Sequence, residues 1–552
     1  MPKYVIIGGV AGGATAATRL RRLDESAEII ILEKGEYISY GGCGLPYYIG
    51  GLVDGRDKLT LQNPQGLKNR YNIDVRIRSE ALAIDPAAKT VLVKDLAGEN
   101  EYTESYDKLI LAPGGSPFKP PMPGVNSPGV FTLRTIPDGD RIIDFVKENH
   151  PKSATIVGAG FIGIELAENF RALSLEVNIL QLSDQVLPIL DRDMVPMVHA
   201  ALRAAGVNLY LNNSLEAITL NPEGGLNLKL NTGTLKTDLV VLSVGVRPDS
   251  ALAKNAGLKV DDRGGIVVDS QMMTSDPDIY AVGDVALITD FVTGLPAMVP
   301  LAAPATKQAR IAADNICGLP SKYEGSVGTS ILKVFDLTVA LTGMSEKAAK
   351  ARGVAYDKIF LLASDHVNYY PGAKPMWLKV LFDTDKGRLL GAQIVGLQGV
   401  DRRIDVLAVA LRARLAPEEI AALDLAYAPP YGAAKDPVNM VGFMIEDLIN
   451  NLTKQFHWSE VDDLPKSGEA LLVDVRGEDE FSQGHLPGFI NVPLKTLRAQ
   501  LAGWDRAKPV YVNCEGGLRS YIAARILSQN GFTALYLSGG YRLYSQVKGD
   551  LK

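Results

Sequence analysis

The hexapeptide Gly158-Ala159-Gly160-Phe161-Ile162-Gly163 constrains the fold of this chain more than any other stretch. It follows the apolar run Ala154-Thr155-Ile156-Val157 and leads into a helical stretch over 164–173. A strand, a G-x-G-x-x-G turn and a helix together aim backbone N–H groups and a helix N-terminus at a pyrophosphate. The next strand, 176–180, ends at Gln181, where an acid would bind a ribose 2′-hydroxyl and repel a 2′-phosphate. Glutamine accepts hydrogen bonds without that repulsion. The site therefore predicts NADH or NADPH, with a lean to NADH because no arginine follows Gln181 at once.

A second unit of this kind opens the chain. Tyr4-Val5-Ile6-Ile7 ends at Gly8-Gly9-Val10-Ala11-Gly12-Gly13, followed by a helix over 14–23 and a strand over 28–32. Glu33, with Lys34 beside it, lies 25 residues beyond Gly8, where an acid binds a ribose hydroxyl. Val10 stands where the full pattern has its middle glycine. A strand over 106–112 ends at Pro113-Gly114-Gly115-Ser116, and the run 240–248 carries Gly245 in a similar turn. A strand over 279–282 ends at Gly283-Asp284, whose carboxylate can accept from a ribityl hydroxyl. One site suits an exchangeable nicotinamide, and the other suits resident FAD. The expected architecture is an FAD domain, 1–120 and 250–325, interrupted by an NAD(P) domain, 121–249.

Just after the first unit comes Ser39-Tyr40-Gly41-Gly42-Cys43-Gly44-Leu45-Pro46-Tyr47-Tyr48. The chain has three cysteines, Cys43, Cys317 and Cys514, with no CxxC, which excludes a disulfide scaffold and a zinc site. The five histidines show no ligand spacing, so no metal is expected. Cys43 is expected to exchange electrons with a flavin, using one protein sulfur. Cys317, at the end of a helical run, reads as structural. Thr15, Arg19 and Arg22 share one helix face and offer a place for a second polyanion. A net charge of −6 argues against non-specific nucleic-acid binding. The cysteine usage fits a reducing cytoplasm. Residues 1–8 read directly as a strand, so no leader peptide is expected, and with no apolar run of about 18 residues no membrane span is expected.

These residues resemble the two-dinucleotide-binding flavoprotein disulfide reductases over 1–447. More narrowly, they resemble the single-cysteine branch that includes coenzyme A-disulfide reductase, NADH peroxidase and NADH oxidase. Val10 is usual in that branch. The resemblance implies that Cys43 is the redox cysteine beside the isoalloxazine, and that Arg19 and Arg22 bind coenzyme A phosphates. Thr15, Ser39 and Gly42 match other substrate positions. Residues 326–447 look like the family's α+β dimerisation domain, which implies a homodimer with shared active sites. One subunit's tyrosines would then reach the other's site, here Tyr369 or Tyr370 and Tyr427 or Tyr431. Lys435 matches a further substrate contact.

The last part of the chain, 455–552, carries a different pattern. Ala470-Leu471-Leu472-Val473-Asp474-Val475-Arg476 is a buried-type strand, followed by Gly484-His485-Leu486-Pro487-Gly488. Val510-Tyr511-Val512-Asn513 then delivers Cys514-Glu515-Gly516-Gly517-Leu518-Arg519 into a helix. A cysteine at such a turn meets backbone N–H groups and a positive helix end, which favour an anionic sulfur. The pattern resembles the α/β rhodanese domain, which implies a persulfide on Cys514 and a catalytic role for Arg519. Six residues, Cys514 to Arg519, match the short loop of sulfurtransferases.

The expected activity follows from both halves. An FAD-dependent enzyme would use NAD(P)H to reduce coenzyme A persulfide, polysulfide or disulfide, with the rhodanese domain handling sulfane sulfur. Two other readings are an NADH oxidase or peroxidase cycling Cys43 through a sulfenic acid, and a redox-sensing sulfur carrier with little turnover.

Overall fold

The computed structural model describes residues 1–465 and 468–551. The chain forms two compact units, one from 1–184 with 206–328 and one from 185–205 with 329–552.

The first unit holds two parallel sheets. In the first sheet, Lys3–Ile7 lies between Glu28–Leu32 and Lys108–Leu111, with Asp74–Arg76 and Ile279–Ala281 at the edges. The run Glu-Ile-Ile-Ile-Leu over 28–32 is apolar on both faces because a parallel sheet is covered on both faces. Ile6, Ile29 and Ile31 pack on one side, and Val5, Ile30 and Leu111 on the other. The second sheet repeats the plan: Ser153–Val157 lies between Glu176–Leu180 and Leu239–Leu242. The helices start earlier than the sequence pattern suggests, at Ala11 and Phe161, right after the glycine turns.

Glycine explains that early start. Gly8 has φ of +97°, and a Cβ on Gly13 would lie 1.8 Å from the Gly8 carbonyl oxygen. The second site repeats this at Gly158, with φ of +102°, and at Gly163, where a Cβ would lie 2.1 Å from the Gly158 oxygen. Only glycine lets each helix pack its first turn against the turn that precedes it.

The second unit joins an antiparallel sheet to a parallel one. The antiparallel sheet runs Ser330–Val334, Leu337–Gly343, Leu389–Gly396, Pro375–Phe382, Asp357–Ser364. The helices Val400–Ala413 and Pro437–Ile449 belong to the same unit. The parallel sheet runs Lys454–Phe456, Ala534–Leu537, Val510–Asn513, Leu471–Asp474, Ile490–Asn491. Lys454–Phe456 reads as a polar junction in sequence because an edge strand buries few side chains; here only Phe456 is buried.

Segment 185–205 enters this unit through charge. Lys379 has no exposed side-chain surface and sits 3.1 Å from Asp191, 2.7 Å from Asp193 and 2.6 Å from Glu346. Those three carboxylates are close enough to hold a metal ion, but the Lys379 ammonium stands among them. Burial alone would raise the Glu346 pKa; the charges of Lys379 and Lys358 outweigh it and hold the carboxyl well below the usual range. Lys379→Met is expected to destabilise the second unit by about 3–5 kcal/mol, because it leaves buried carboxylates without their cation. A lowered urea midpoint, followed by the fluorescence of the tryptophans, checks this.

The C-terminal helix Gly540–Leu551 is gripped by the same segment. Asp550 meets Arg192 at 2.7 Å, His199 Nδ1 at 2.8 Å and Arg203 at 3.1 Å. His199 Nε2 accepts from the Val186 N–H at 3.1 Å, so the proton facing Asp550 sits on Nδ1. Further polar contacts tie the parallel sheet to the strand Asp357–Ser364: His457 to Asp357 at 3.1 Å, and the Phe360 N–H to Ser538 Oγ at 3.2 Å.

Candidate active site

Cys43 lies in a short 3-10 turn, Gly42–Gly44, that runs directly into the helix Leu45–Ile49. Gly42 and Cys43 are exposed. Ser39, just before, takes φ of +46°, a left-handed conformation that a residue without glycine's freedom adopts only when held. Its N–H donates to the Gly9 carbonyl and its own carbonyl accepts from the Leu61 N–H, so the glycine turn and the cysteine turn are stitched together.

Three charged groups act on the Cys43 thiol. Crowding by the protein is the largest influence and raises its pKa; the Glu165 charge adds to this, Arg134 opposes it and Asp284 adds a little more. Glu165 sits on the helix Phe161–Ala172, and its own pKa is pushed up to about 7, chiefly by burial, with the Tyr47 hydroxyl 3.5 Å away pulling the other way. Neither Glu165 nor Arg134 stands out in the sequence. The only sequence signal for Glu165 is its position two residues beyond the last glycine of the second fingerprint.

Glu165→Gln is therefore expected to ease ionisation of Cys43. Above pH about 7 the Glu165 carboxylate is charged and disfavours the thiolate; the amide is not. Alkylation of Cys43 by iodoacetamide at pH 8 should speed up about three-fold, with the difference fading below pH 7 as Glu165 protonates. An unchanged pH profile would show that the carboxylate does not act on the thiol.

The structure tests whether the two glycine turns suit dinucleotides. In the first, the Glu33 carboxylate accepts from the Gly9 N–H at 2.8 Å and from the Gly35 N–H at 2.8 Å, while Lys34 is exposed. In the second, Gln181 is buried, and its Oε1 accepts from the Ala159 N–H at 2.8 Å. A Cβ on Gly160 would meet nothing within 4 Å, which leaves open space over the turn. Phe161 and Ile162 form the first turn of the helix behind it. Both acceptors lie at strand ends beside glycine turns, the chemistry that holds a ribose and a pyrophosphate, so the residues fit FAD and NAD(P)H. Val10 caps the first helix, and Ala11 and Gly12 open it. Gly114 and Gly283 take φ of +73° and +83°, and Gly245 is exposed with φ of +107°. Pro113 precedes the Gly114 bend and is half-buried.

Some side chains have partners that sequence does not disclose. Asp284 is 2.8 Å from Arg134. Arg19 is 2.7 Å from Asp314, and Arg22 is exposed. Thr15 is half-buried on the same helix. The neighbouring Arg21 is buried and donates to the carbonyls of Tyr71, Asp24, Glu25 and Asn72, which gives it a structural job. Cys317 is half-buried in the core beside Tyr4.

The second unit brings other candidates together. The hydroxyls of Tyr369 and Tyr427 are 3.1 Å apart, and both side chains are exposed. Tyr370 instead packs edge-on against His366. Tyr369, His366, Ser364 and the exposed Lys435 line a cavity of about 400 Å³.

Cys514 is 1% exposed, at the end of the strand Val510–Asn513. Its Sγ accepts from the Gly517 N–H at 3.1 Å, and Ser520 Oγ lies at 3.3 Å. Gly517 reaches this position with φ of +107°, immediately before the helix Leu518–Gln529. Arg519, expected to serve the sulfur, is held by both oxygens of Glu480 at 2.7 Å and also feels the charge of Cys514. His485 stacks on Phe481 at 3.9 Å between ring centres, a scaffold role.

Residues 2–309 match the pyridine nucleotide-disulphide oxidoreductase family. The chain belongs to that family. Residues 329–437 match the dimerisation domain of these oxidoreductases, and 457–546 match the rhodanese-like domain. This pyridine nucleotide-disulphide oxidoreductase is thus a flavoprotein enzyme with a rhodanese-like domain at its C-terminal end. It is 36% identical over 445 residues to a coenzyme A disulfide reductase of Staphylococcus aureus, covering 80% of this chain and 99% of the relative. It is similar in structure to reduced Bacillus anthracis CoADR-RHD, at 43% identity and a TM-score of 0.97, covering 100% of this chain and 98% of that one. It is also similar to a NAD-dependent persulfide reductase from A. fulgidus, at 37% identity and a TM-score of 0.89, covering 98% and 99%. Among the described residues, no helix is long and apolar enough to cross a membrane.

Proposed function

We propose that this oxidoreductase is a homodimer that uses NADH to reduce the sulfur–sulfur bond of coenzyme A persulfide, polysulfide or disulfide at Cys43, and that Cys514 carries sulfane sulfur to it. The observation that carries this reading is the presence of two sulfur sites, each without a protein sulfur partner: all three cysteines are free. Sulfur–sulfur chemistry at either one therefore draws on sulfur from outside the chain. The printed activities of the staphylococcal and A. fulgidus relatives support the same substrate class.

FAD would be held by Gly8, Val10, Ala11, Gly12, Gly13, Glu33, Lys34, Pro113, Gly114, Gly245, Gly283 and Asp284. NAD(P)H would be held by Gly158, Gly160, Phe161, Ile162, Gly163 and Gln181. Bound FAD supplies two-electron transfer between a nicotinamide and a sulfur. The chain's own part is nucleophilic. The Cys43 thiolate attacks the inner sulfur of a coenzyme A persulfide; the sulfur–sulfur bond breaks, hydrosulfide leaves with the electron pair, and a Cys43–coenzyme A disulfide forms. Tyr369 and Tyr427, with hydroxyls 3.1 Å apart, are the donors for a departing thiolate, reaching the other subunit's site as the family does. Phosphates of coenzyme A fall to Arg22 and Arg19, beside Thr15, with Ser39 and Gly42 at the sulfur end and Lys435 at the rim. Arg19 shares its charge with Asp314, so the exposed Arg22 is the stronger anion ligand of the two.

The test is a comparison of oxidants. The purified flavoprotein is given NADH with oxygen, hydrogen peroxide, coenzyme A disulfide or coenzyme A persulfide. Faster NADH consumption with persulfide or disulfide than with either oxygen species is the expected result. Faster turnover with peroxide would sink the reading.

A further inference from the structure

Two cations bordering the Cys514 loop, Arg519 and Arg476, are held by carboxylates, while the exposed Arg542 meets the loop through its backbone N–H, which donates to the Glu515 carbonyl at 3.0 Å. Glu480 accepts from Nη1 and Nη2 of Arg519, each at 2.7 Å. Glu480 is itself anchored at the start of the helix Glu478–Ser482, where its Oε2 accepts from the Gly477 N–H at 3.0 Å. Arg476 is buried; it donates to Asp474 at 3.0 Å and to the Gly484 carbonyl at 2.6 Å, and it reaches Glu515 at 3.3 Å. The side chains tied to the loop thus comprise two cations, Arg476 and Arg519, and three carboxylates, Asp474, Glu480 and Glu515, a formal net of −1. Leucine side chains also border the loop. A Cβ on Gly516 would sit 3.3 Å from Leu362, and Leu518 is 66% exposed.

This surround suits some sulfur donors and not others. A persulfide on Cys514 carries at most one negative charge, and the Gly517 N–H at 3.1 Å meets it. A small dianion such as thiosulfate is held best by a guanidinium free to pair with it, and both Arg476 and Arg519 are already engaged by carboxylates. Glu480 and Glu515 are themselves about two-fifths exposed, so they act on the site chiefly through the guanidinium groups they hold.

We propose that Glu480 is a specificity-determining residue of the sulfurtransferase half: by holding Arg519, and together with Glu515, it turns the site away from sulfur dianions and toward hydropersulfides, R–S–SH, with an uncharged arm. This rests on the reading that Cys514 carries sulfane sulfur. In the loading step the Cys514 thiolate attacks the terminal sulfur of R–S–SH. The donor's sulfur–sulfur bond breaks, its electron pair leaves with R–S⁻, which then takes a proton from water, and Cys514–S–SH remains. No outside oxidant or reductant is required.

Single-turnover loading of the full-length flavoprotein tests the proposal, with thiosulfate and N-acetylcysteamine persulfide as the two probes. Released sulfite and released N-acetylcysteamine report the rates, and intact mass reports the persulfide. The wild type is expected to load faster from the persulfide. Glu480→Gln should raise loading from thiosulfate by about ten-fold or more and lower its half-saturating concentration, while loading from the persulfide moves less than about three-fold. Glu480→Asp, which keeps the charge, should retain the wild-type preference. The proposal is overturned if the wild type takes thiosulfate as fast as the persulfide. It is overturned equally if Glu480→Gln leaves the ratio of the two rates unchanged, or loses both together, which would make Glu480 only structural. Should Glu480→Gln not fold, Glu515→Gln carries the same test with the same outcomes. If neither donor loads wild-type Cys514, the sulfur-carrying reading itself falls, and the mass measurement separates that failure from a failure of selectivity.

Discussion

Cys43→Ser is expected to abolish NADH-dependent reduction of coenzyme A persulfide, by about a thousand-fold or more. The reason is chemical. Serine keeps the shape of the turn Gly42–Gly44, but its hydroxyl is neither ionised nor nucleophilic toward sulfur at neutral pH. Cys317 is half-buried beside Tyr4 and is not placed to substitute. The glycine turn that would hold the flavin depends on Gly8 and Gly13 and not on the thiol, so flavin absorbance should survive. Stopped-flow measurement without oxygen checks both statements: flavin present and reducible by NADH, persulfide not consumed. Persulfide reduction at more than a tenth of the wild-type rate would show that the electrons take another path.

Cys514→Ser is expected to separate the two halves of the chemistry. Reduction of a preformed coenzyme A persulfide should persist within about two-fold, because Cys43 acts on that substrate directly. NADH consumption driven by an external sulfane donor and catalytic coenzyme A should fall by about a hundred-fold or more. The Gly517 N–H would then face an oxygen that carries no sulfur to transfer. If the variant leaves both activities untouched, the rhodanese half does not feed the reductase. If it loses both, Cys514 is needed for the fold and not for transfer.

Sequence discloses features that are local in the chain. Gly8 with Gly13, and Gly158 with Gly163, show themselves because a few residues of glycine spacing encode a steric fit. The loop from Cys514 to Arg519 is legible for the same reason. What is hidden are the partnerships across long separations. Arg519 is picked out by its place in the loop, but its partner Glu480, 39 residues earlier, is not. Arg134 meets Asp284 across 150 residues. Lys379 is the one charged residue of the apolar strand Pro375–Phe382, and nothing there foretells Asp191 and Asp193 as its partners. Tyr369 and Tyr427 are an intermediate case: the resemblance leaves Tyr369 or Tyr370 and Tyr427 or Tyr431 open, and the contact between the Tyr369 and Tyr427 hydroxyls is not legible in sequence.

The grip of Arg192, His199 and Arg203 on Asp550 bears on how freely the halves of this chain can be exchanged. Positions 192 to 203 are encoded some 350 codons before Asp550, yet they serve the last helix. In a relative that ends where the staphylococcal match ends, after 445 residues, the same basic trio would have no such acid to face. The rhodanese-like half is thus held not only by the chain that leads into it but by residues encoded far upstream. Transplanting this rhodanese-like half onto a shorter reductase would then call for moving the receiving residues with it.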